Sequence, residues 1–336
     1  MSEQQTNLSS YHRNNSTFPS SYRDHCIKSH QAELTATREL YYSIDCGAES
    51  RKIERLDDCH KFAWFARNQQ SGEVRVQSNH CRLRWCPLCS HIKSWFISHS
   101  ITEWLETKSA PKLLTLTLRH SGNSLANQIS DIYHHFQNFR RVKWIKKAVQ
   151  GGIWFFQVKY NEKSGDYHPH IHILLDSDFL PQQSLSDTWL KVTSGSYIVD
   201  IRTVYNPPKA ASYVARYVAR PANLADMPIE QRQQVYMALH GRRLAGSWGT
   251  GKGVNLTGKP PETDEKWTRI ADWQTIRELL NYDPNAKLVV HCWQSGEPLP
   301  EDINFRDLEK KLKWPDMNFE KTQQKPIPPP EPKCLF

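Results

Sequence analysis

The chain has 336 residues, with 24% charged and 38% hydrophobic side chains, a composition that suits about two folded domains. Its formal net charge of +9 and pI near 9.1 predict a polyanionic partner, with DNA, RNA and an anionic membrane surface all open at this point. The chain lacks the apolar run of about 18 residues that a membrane-spanning helix needs, so such a helix is excluded.

The N-terminal region carries no apolar signal core. Residues 1–21 are rich in Ser, Asn, Gln and Thr, and we expect residues 1–50 to be a mostly disordered tail. The absence of a secretory signal predicts a cytoplasmic location, in which thiols stay reduced and clustered cysteines favour a metal over disulfides.

The next region contains four cysteines in the pattern C-x21-C-x4-C-x2-C. They are Cys59, Cys81, Cys86 and Cys89. The last pair resembles a zinc knuckle, so we predict a structural Zn²⁺ site with Cys59 as the fourth ligand and with His60 and His80 as its rivals. The alternative, buried cysteines acting as small hydrophobic residues, suits Cys26, Cys292 and Cys334 better. With a helix predicted over 92–107, this zinc-binding region spans 51–108.

A second domain is predicted over 110–258. Its first elements are a strand at 112–120, in which Thr and Leu alternate, and a long helix over 125–149 that ends in a basic cluster. An aromatic and β-branched strand at 153–160 follows, and the loop 161–166 predicts a hairpin back to the next strand.

That next strand, 167–175, carries three alternating histidines. Successive side chains of a strand point to opposite faces, so His168, His170 and His172 would share one face while Ile171 and Ile173 pack on the other. Several imidazoles on one face can hold a divalent ion. A merely solvated histidine face is the alternative, and the spacing favours the metal.

A strand over 197–204 and an Ala-rich helix over 209–220 come next. Tyr213 and Tyr217 are four residues apart on this helix and so lie on one face, as Arg216 and Arg220 do on another. A basic, Gly-rich stretch follows, and the candidates for DNA binding are Arg216, Arg220, Arg242, Arg243, Trp248 and Lys252. A flexible basic loop is the alternative for the Gly-rich stretch. Residues 259–336 are predicted to form a small appendix, with a helix at 264–280, a strand at 287–293 and a Pro-rich tail at 325–332.

Three of these elements, in this order, carry a resemblance to a known family. They are the Leu-Thr-Leu-Thr strand at 114–117, the His170-Ile171-His172 strand and the tyrosine helix. Over about residues 55–255 the chain resembles the HUH endonuclease superfamily, and within it the rolling-circle replication initiators of small bacterial plasmids. The resemblance implies an α+β fold: an HUH-type five-stranded antiparallel sheet flanked by helices, preceded by a small cysteine-rich zinc-binding region.

The resemblance also implies a reaction. A tyrosine hydroxyl attacks a phosphodiester of single-stranded origin DNA, which leaves a 5′-phosphotyrosyl link and a free 3′-OH for a polymerase to extend. Tyr217 is the expected first nucleophile, and Tyr213 stands where many plasmid initiators have a glutamate, as in the two-tyrosine members of the superfamily. The implied partners are plasmid origin DNA, a host helicase and a host polymerase, with no membrane.

The family's His-hydrophobic-His motif places the catalytic metal on His170 and His172. Mg²⁺ and Mn²⁺ both suit phosphoryl chemistry, and nitrogen ligands favour Mn²⁺. His168 is a tentative third ligand, and Glu162 or Asp166 could take its place.

Two other functions remain open on the sequence. A single-stranded-DNA transposase with two tyrosines would use the same chemistry. A non-catalytic, zinc-dependent regulator that binds nucleic acid would use the histidines and tyrosines for packing alone.

Overall fold

The structure, a computed structural model, describes residues 18–45, 51–119, 122–259 and 266–301. Its helices are α1 (Tyr22–Ile27), α2 (Gln31–Ile44), α3 (Arg51–Asp58), α4 (Pro87–Glu106), α5 (Leu125–Arg141), α6 (Lys143–Ala148), α7 (Gln182–Thr193), α8 (Pro207–Ala219), α9 (Ile229–Leu239), α10 (Trp273–Leu279) and α11 (Pro284–Ser295). Its strands are β1 (Ala63–Asn68), β2 (Val74–Ser78), β3 (Lys112–Thr117), β4 (Val149–Asn161), β5 (Asp166–Ser177), β6 (Val199–Thr203), β7 (Ala245–Gly249) and β8 (Trp267–Asp272).

The larger sheet has five strands in the order β6-β3-β5-β4-β7, and every neighbouring pair is antiparallel. Its long central hairpin joins β4 to β5 through a short turn in which Gly165 has a φ of +70°, a backbone conformation that glycine adopts at little cost. The predicted α+β fold with a five-stranded antiparallel sheet flanked by helices is therefore confirmed.

Side-chain alternation divides this sheet into two different faces. On one face, Leu114, Phe156 and Ile171 pack against the buried stripe of α5. On the other face, which carries the histidines, Phe155 and Leu174 join the side chains of α4 and α8 in a separate core. The histidine strand thus has helices on both sides. His172 and Leu174 in its middle are buried, whereas His168 and His170 toward one end are partly exposed.

The smaller sheet joins two distant parts of the chain. Its order is β2-β1-β8, so the strands of the cysteine region pair with a strand from near the C-terminus. Phe65, Ile270, Trp273 and Val289 form its core with neighbouring apolar residues. Residues 266–301 are accordingly part of the same unit as the cysteine region, rather than the separate appendix that we expected.

The N-terminal expectation also needs correction. Residues 22–27 and 31–44 are helical, and Leu34, Leu40 and Tyr41 of α2 are buried. Charged residues lie between these positions, so the composition of the segment did not indicate the apolar stripe of α2. Residues 1–17 and 46–50 of the predicted tail lie outside the described residues, as does the Pro-rich segment 325–332.

Several predicted elements have other bounds in the structure, and two of them also differ in type. The helix expected at 125–149 ends at Arg141, because Val142 adopts an extended ψ of 129°, and strand β4 already begins at Val149. Strand β8 and helix α10 replace the helix expected at 264–280.

The strand expected at 287–293 is helix α11. The side chain of Asp283 caps this helix by accepting hydrogen bonds from the backbone of Asn285 and Ala286, and Pro284 stands in its first turn. These start signals outweigh the β-branched pair Val289-Val290, which is buried against the small sheet instead. Across the described residues, no helix has the length and apolar content needed to cross a membrane.

Candidate active site and metal centres

The four predicted zinc ligands lie together. Among the residues that the structure describes, Cys59, Cys81, Cys86 and Cys89 form the one group of potential ligands whose donor atoms all lie within 4.8 Å of one another. The Sγ atoms of Cys59 and Cys89 are 3.5 Å apart, and those of Cys59 and Cys86 are 3.8 Å apart. A tetrahedral ion with Zn–S bonds of about 2.3 Å requires sulfur separations of about 3.8 Å, so this donor set fits Zn²⁺.

The local backbone explains how the cysteines converge. Cys86 is the N-cap of α4, Pro87 occupies its first turn, and Cys89 lies in that same turn. Hydrogen bonds from the neighbouring cysteine thiols lower the pKa of Cys89, which favours its thiolate form. Arg82, with a left-handed φ of 57°, turns the chain between Cys81 and the helix.

The two rival ligands lie beside the cluster and bond to each other. Nε2 of His60 is 3.0 Å from Nδ1 of His80. Burial lowers the pKa of His60 to about 4, which keeps that imidazole neutral. This arrangement agrees with the prediction that the fourth zinc ligand is Cys59 and not a histidine.

Helix α4 connects the cysteine cluster to the tyrosine helix. Its first turn holds Cys86 and Cys89, while Ile97 and Ile101 further along are fully buried against Val214 and Val218 of α8. A shift of the first turn of α4 would therefore be transmitted to α8 through a close-packed contact.

The histidine face is built from three adjacent strands. In the register of β3 and β5, Thr115 lies opposite His172 and Thr117 lies opposite His170. Nδ1 of His172 is 3.1 Å from the Thr115 hydroxyl, and Nδ1 of His170 is 3.0 Å from the Thr117 hydroxyl. These two hydrogen bonds orient both rings so that Nε2 of each points away from β3, an outer-shell arrangement typical of metal-binding histidines.

Both histidines are neutral in this environment. Burial, with smaller contributions from nearby positive charge, lowers the pKa of His170 to about 4 and the pKa of His172 to about 3. A neutral imidazole is the form that binds a metal ion.

Gln157 is a site residue that the sequence analysis missed. It lies on β4 directly opposite His170, and its Oε1 is 2.9 Å from Nε2 of His172. The signal in the sequence was a polar residue two positions after Phe155, in the alternation that also contains Lys159. The predicted third ligand His168 shares the face, but the three histidines do not form a convergent donor group within the described residues.

The two tyrosines of α8 lie over the histidine face. The ring of Tyr217 stacks on His172 at 4.8 Å between centroids, and Tyr213 meets the same imidazole edge-on at 5.8 Å. Burial first, and then a hydrogen bond with Tyr213, raises the pKa of Tyr217 above its usual value, while Arg216 and Gln157 act in the opposite direction. Histidines and tyrosines far apart in sequence thus meet at one place.

The comparisons with known proteins agree with this constellation. The family model described as "Replication protein" matches residues 73–287, which is more than half of the chain and includes three of the four clustered cysteines, the histidines and both tyrosines. The chain belongs to the replication protein family.

Curated relatives of this replication protein carry the name "Protein rep". The protein from Bacillus amyloliquefaciens is 29% identical over 202 residues, which cover 54% of this chain and 59% of the relative. The protein from Streptococcus pneumoniae is 27% identical over 237 residues, which cover 62% of this chain and 73% of the relative. A protein from Bacillus sp is 28% identical, and 57% of its length is covered, so the chain spans less than two thirds of the two Bacillus relatives. No solved structure matches the replication protein significantly.

The structure places the six predicted DNA-binding residues in different surroundings. Arg216 is exposed, with its guanidinium 5.0 Å from the ring centroid of Tyr213 and 5.8 Å from that of Tyr217. Arg220 instead forms an ion pair with Glu33 of α2, so the N-terminal helix is tied to the end of the tyrosine helix. Arg216 is therefore the cation beside the tyrosines, and Arg220 has an intramolecular partner.

The Gly-rich stretch is divided between the two faces of the sheet. Trp248 lies on the face opposite the histidines, where its ring covers Gly152 and lies 4.1 Å beneath the Arg140 guanidinium. Arg242 donates hydrogen bonds to the Ala126 carbonyl and the Ser130 hydroxyl of α5. Arg243 and Lys252 are exposed. Trp248 and Arg242 therefore make packing and bonding contacts within the chain, away from the histidine and tyrosine site.

Proposed function

We propose that this replication protein initiates plasmid replication by nicking and rejoining one strand of origin DNA with a tyrosine nucleophile. The observation that carries the proposal is the stack of Tyr217 on His172 in a chain of this family. Tyrosine is a weak nucleophile at neutral pH, so its attack on a phosphodiester requires a site that stabilises negative charge at the phosphate. The histidine face directly beneath the ring can supply that site.

The donor set fits a divalent ion. His170 and His172 would offer Nε2, and Gln157 would offer its amide oxygen in place of the hydrogen bond that it makes to His172. When bound, Mg²⁺ or Mn²⁺ would supply Lewis-acid stabilisation of the phosphate oxygens. Thr115 and Thr117 hold the two imidazoles in place, and burial keeps them unprotonated.

In the proposed reaction the Tyr217 oxygen forms a bond to phosphorus while the bond to the 3′ oxygen breaks. The products are a 5′-phosphotyrosyl protein and a free 3′-OH. Tyr213, whose ring centroid is 5.3 Å from that of Tyr217, is the second acceptor for the joining step. The Arg216 guanidinium beside both rings stabilises the phenolate character that develops during each transfer.

The cysteine cluster has a structural part in this proposal. Four thiolates complete a tetrahedral zinc shell and leave no position for substrate, which is typical of structural sites. The cluster would fix the first turn of α4 and through it the position of the tyrosine helix. Origin DNA, a host helicase and a host polymerase remain the proposed partners, because the chain has no strand-separating motif of its own.

The decisive experiment follows the covalent adduct. Purified protein, Mn²⁺ and a labelled oligonucleotide carrying the nick site of the encoding replicon should yield a labelled protein band that survives denaturation. Tyr217→Phe should abolish or strongly reduce this band, and Tyr213→Phe should reduce joining more than nicking. Tyr205→Phe, at an exposed tyrosine before α8, is the matched control. The proposal is wrong if the wild type forms no adduct or if the Tyr213→Phe, Tyr217→Phe double variant still forms it.

The same assay addresses the other two functions. A non-catalytic regulator would bind the oligonucleotide without forming an adduct. A transposase would form the adduct on the ends of a mobile element and not on an origin, and the family match to replication proteins favours the origin.

A further inference from the structure

His170 and His172, here called the metal pair, are followed on the histidine face by a lysine, Lys159. The proposed nicking reaction gives this cation no role. The strands β4 and β5 place Phe155 opposite His172, Gln157 opposite His170, and Lys159 opposite His168. Paired residues of an antiparallel ladder project on the same side of the sheet, and so do alternate residues of one strand. Lys159 therefore projects on the histidine side, one row beyond the metal pair.

The Lys159 ammonium is available to a ligand. The residue is exposed, and none of the ion pairs between described residues includes it. An exposed lysine that lies beside the histidine side chains and has no acidic partner among the described residues favours an anion from outside the chain.

The direction of attack indicates which anion that is. Both tyrosine rings lie at the His172 end of the site. In an in-line displacement the leaving oxygen is on the side of the phosphorus opposite the nucleophile. If Tyr217 attacks from the His172 end, the leaving 3′ oxygen and the nucleotide that carries it lie toward His168 and Lys159.

The spacing suits a strand of DNA. Two residues along β4 separate Lys159 from Gln157, which is about 7 Å at 3.4 Å per residue. This step is comparable to the separation of neighbouring phosphates in an extended DNA strand. A phosphate one position from the scissile one can therefore reach the Lys159 ammonium while the scissile phosphate lies over the metal pair.

We infer that Lys159 is a substrate-binding residue that holds the phosphate immediately 5′ of the scissile phosphate, on the strand that ends in the 3′-OH. The inference rests on the proposed nicking function and adds to it the part of the site that retains the leaving strand. Because the 3′-OH is the attacking group when the strands are rejoined, loss of this contact should impair joining as well as nicking.

The experiment pairs a protein variant with a modified DNA. Lys159→Ala and the matched control Lys163→Ala, which removes an exposed lysine from the turn of the same hairpin, are compared with wild type on oligonucleotides with one neutral methylphosphonate at a time around the nick. We expect Lys159→Ala to lower nicking about tenfold at low substrate, mainly through KM, and to reduce the slope of log affinity against log salt by about 0.7, the value for one contact to a single strand. Lys159→Arg should restore most of the loss.

The informative result is the coupling between the two changes. A methylphosphonate immediately 5′ of the scissile phosphate should slow the wild type and Lys163→Ala to the level of Lys159→Ala, and should have no further effect on Lys159→Ala. Additive losses at that position, or coupling at a phosphate 3′ of the nick instead, would overturn the assignment. A wild type that binds the oligonucleotide but never forms the adduct would instead refute the nicking function, and the assignment of Lys159 would fall with it.

Discussion

The cysteine cluster and the histidine face are both candidate metal centres, and they are built in opposite ways. The cluster brings four thiolates within 4.8 Å of one another and is largely buried. The histidine face offers two imidazoles and one amide, and its far end remains open to solvent. Closed, complete ligand sets are typical of structural sites, and sites with an open position are typical of catalysis. The comparison supports the proposed division of roles, in which the cysteine cluster would stabilise the fold and the histidine face would leave room for a substrate oxygen.

The largest expected effect comes from removing one ligand of the cysteine cluster. Cys86→Ser should release zinc and lower the thermal stability of the protein strongly, because apparent binding free energies of structural zinc are about 10–16 kcal/mol in zinc-finger peptides. Elemental analysis of zinc per chain and calorimetric unfolding would measure this. Cys26→Ser, a half-buried cysteine outside the cluster, is the control and should keep its zinc. An unchanged zinc content per chain in Cys86→Ser would contradict the assignment of the cysteine cluster as the structural zinc site.

The next effect comes from removing a ligand of the open centre. His170→Ala should lower adduct formation to about a hundredth of wild type or less, since the charge that develops at the phosphate loses its stabilisation. Zinc content, melting temperature and DNA binding should stay close to wild type, in contrast to Cys86→Ser. The exposed His240→Ala is the matched control. Loss of DNA binding together with activity would show that His170 supports the fold.

A smaller effect should identify the third ligand. Gln157→Leu should weaken Mn²⁺ binding about tenfold or more, whereas His168→Ala should change it by about twofold or less. Titration of free Mn²⁺ by electron paramagnetic resonance, with zinc retained in the cysteine cluster, would give both values. The reverse order would return the third position to His168, which we first predicted from the sequence.

The last expected effect is a pH dependence of stability, which distinguishes the two sites without a change in activity. The pKa of His172 is about 3 in the folded protein and about 6.5 in an unfolded chain, so between these values the unfolded state binds a proton that the native state excludes. The free energy of unfolding should therefore fall as the pH falls from about 6.5 toward 4, by on the order of a few kcal/mol. Denaturant unfolding without added Mg²⁺ or Mn²⁺ would measure the slope. His172→Gln should make the slope less steep, and His60 and His170, whose pKa values are about 4, should account for part of what remains. Parallel curves for both proteins would contradict the assigned burial of this histidine.

Local patterns in the sequence predicted much of both centres. The spacing of the cysteines gave the four zinc candidates, and the alternation of histidines gave the strand and its two faces. Gln157 could not be found this way, because its relation to His172 depends on the register between β4 and β5. The intramolecular partners of Arg220, Arg242 and Trp248 were invisible for the same reason, since each lies far away in the sequence.

The same limit explains the errors in the fold. The segment of β8 was predicted as part of a helix because its pairing with β1 is not visible in the local sequence. The apolar stripe of α2 can be recognised only once the core that it covers is known. Long-range pairing thus decides what local propensity leaves ambiguous.

The pairing of β1 with β8 also affects how the protein folds during its synthesis on the ribosome. All four cysteines and the first two strands emerge early, but one edge of β1 has no partner until residues 267–272 have been synthesised. The entire five-stranded sheet is made in between and can complete its own pairing first. The nascent chain therefore carries an unpaired strand edge, a surface prone to aggregation, for most of its synthesis. Early capture of zinc by the cysteines would hold that strand in place until its last partner arrives.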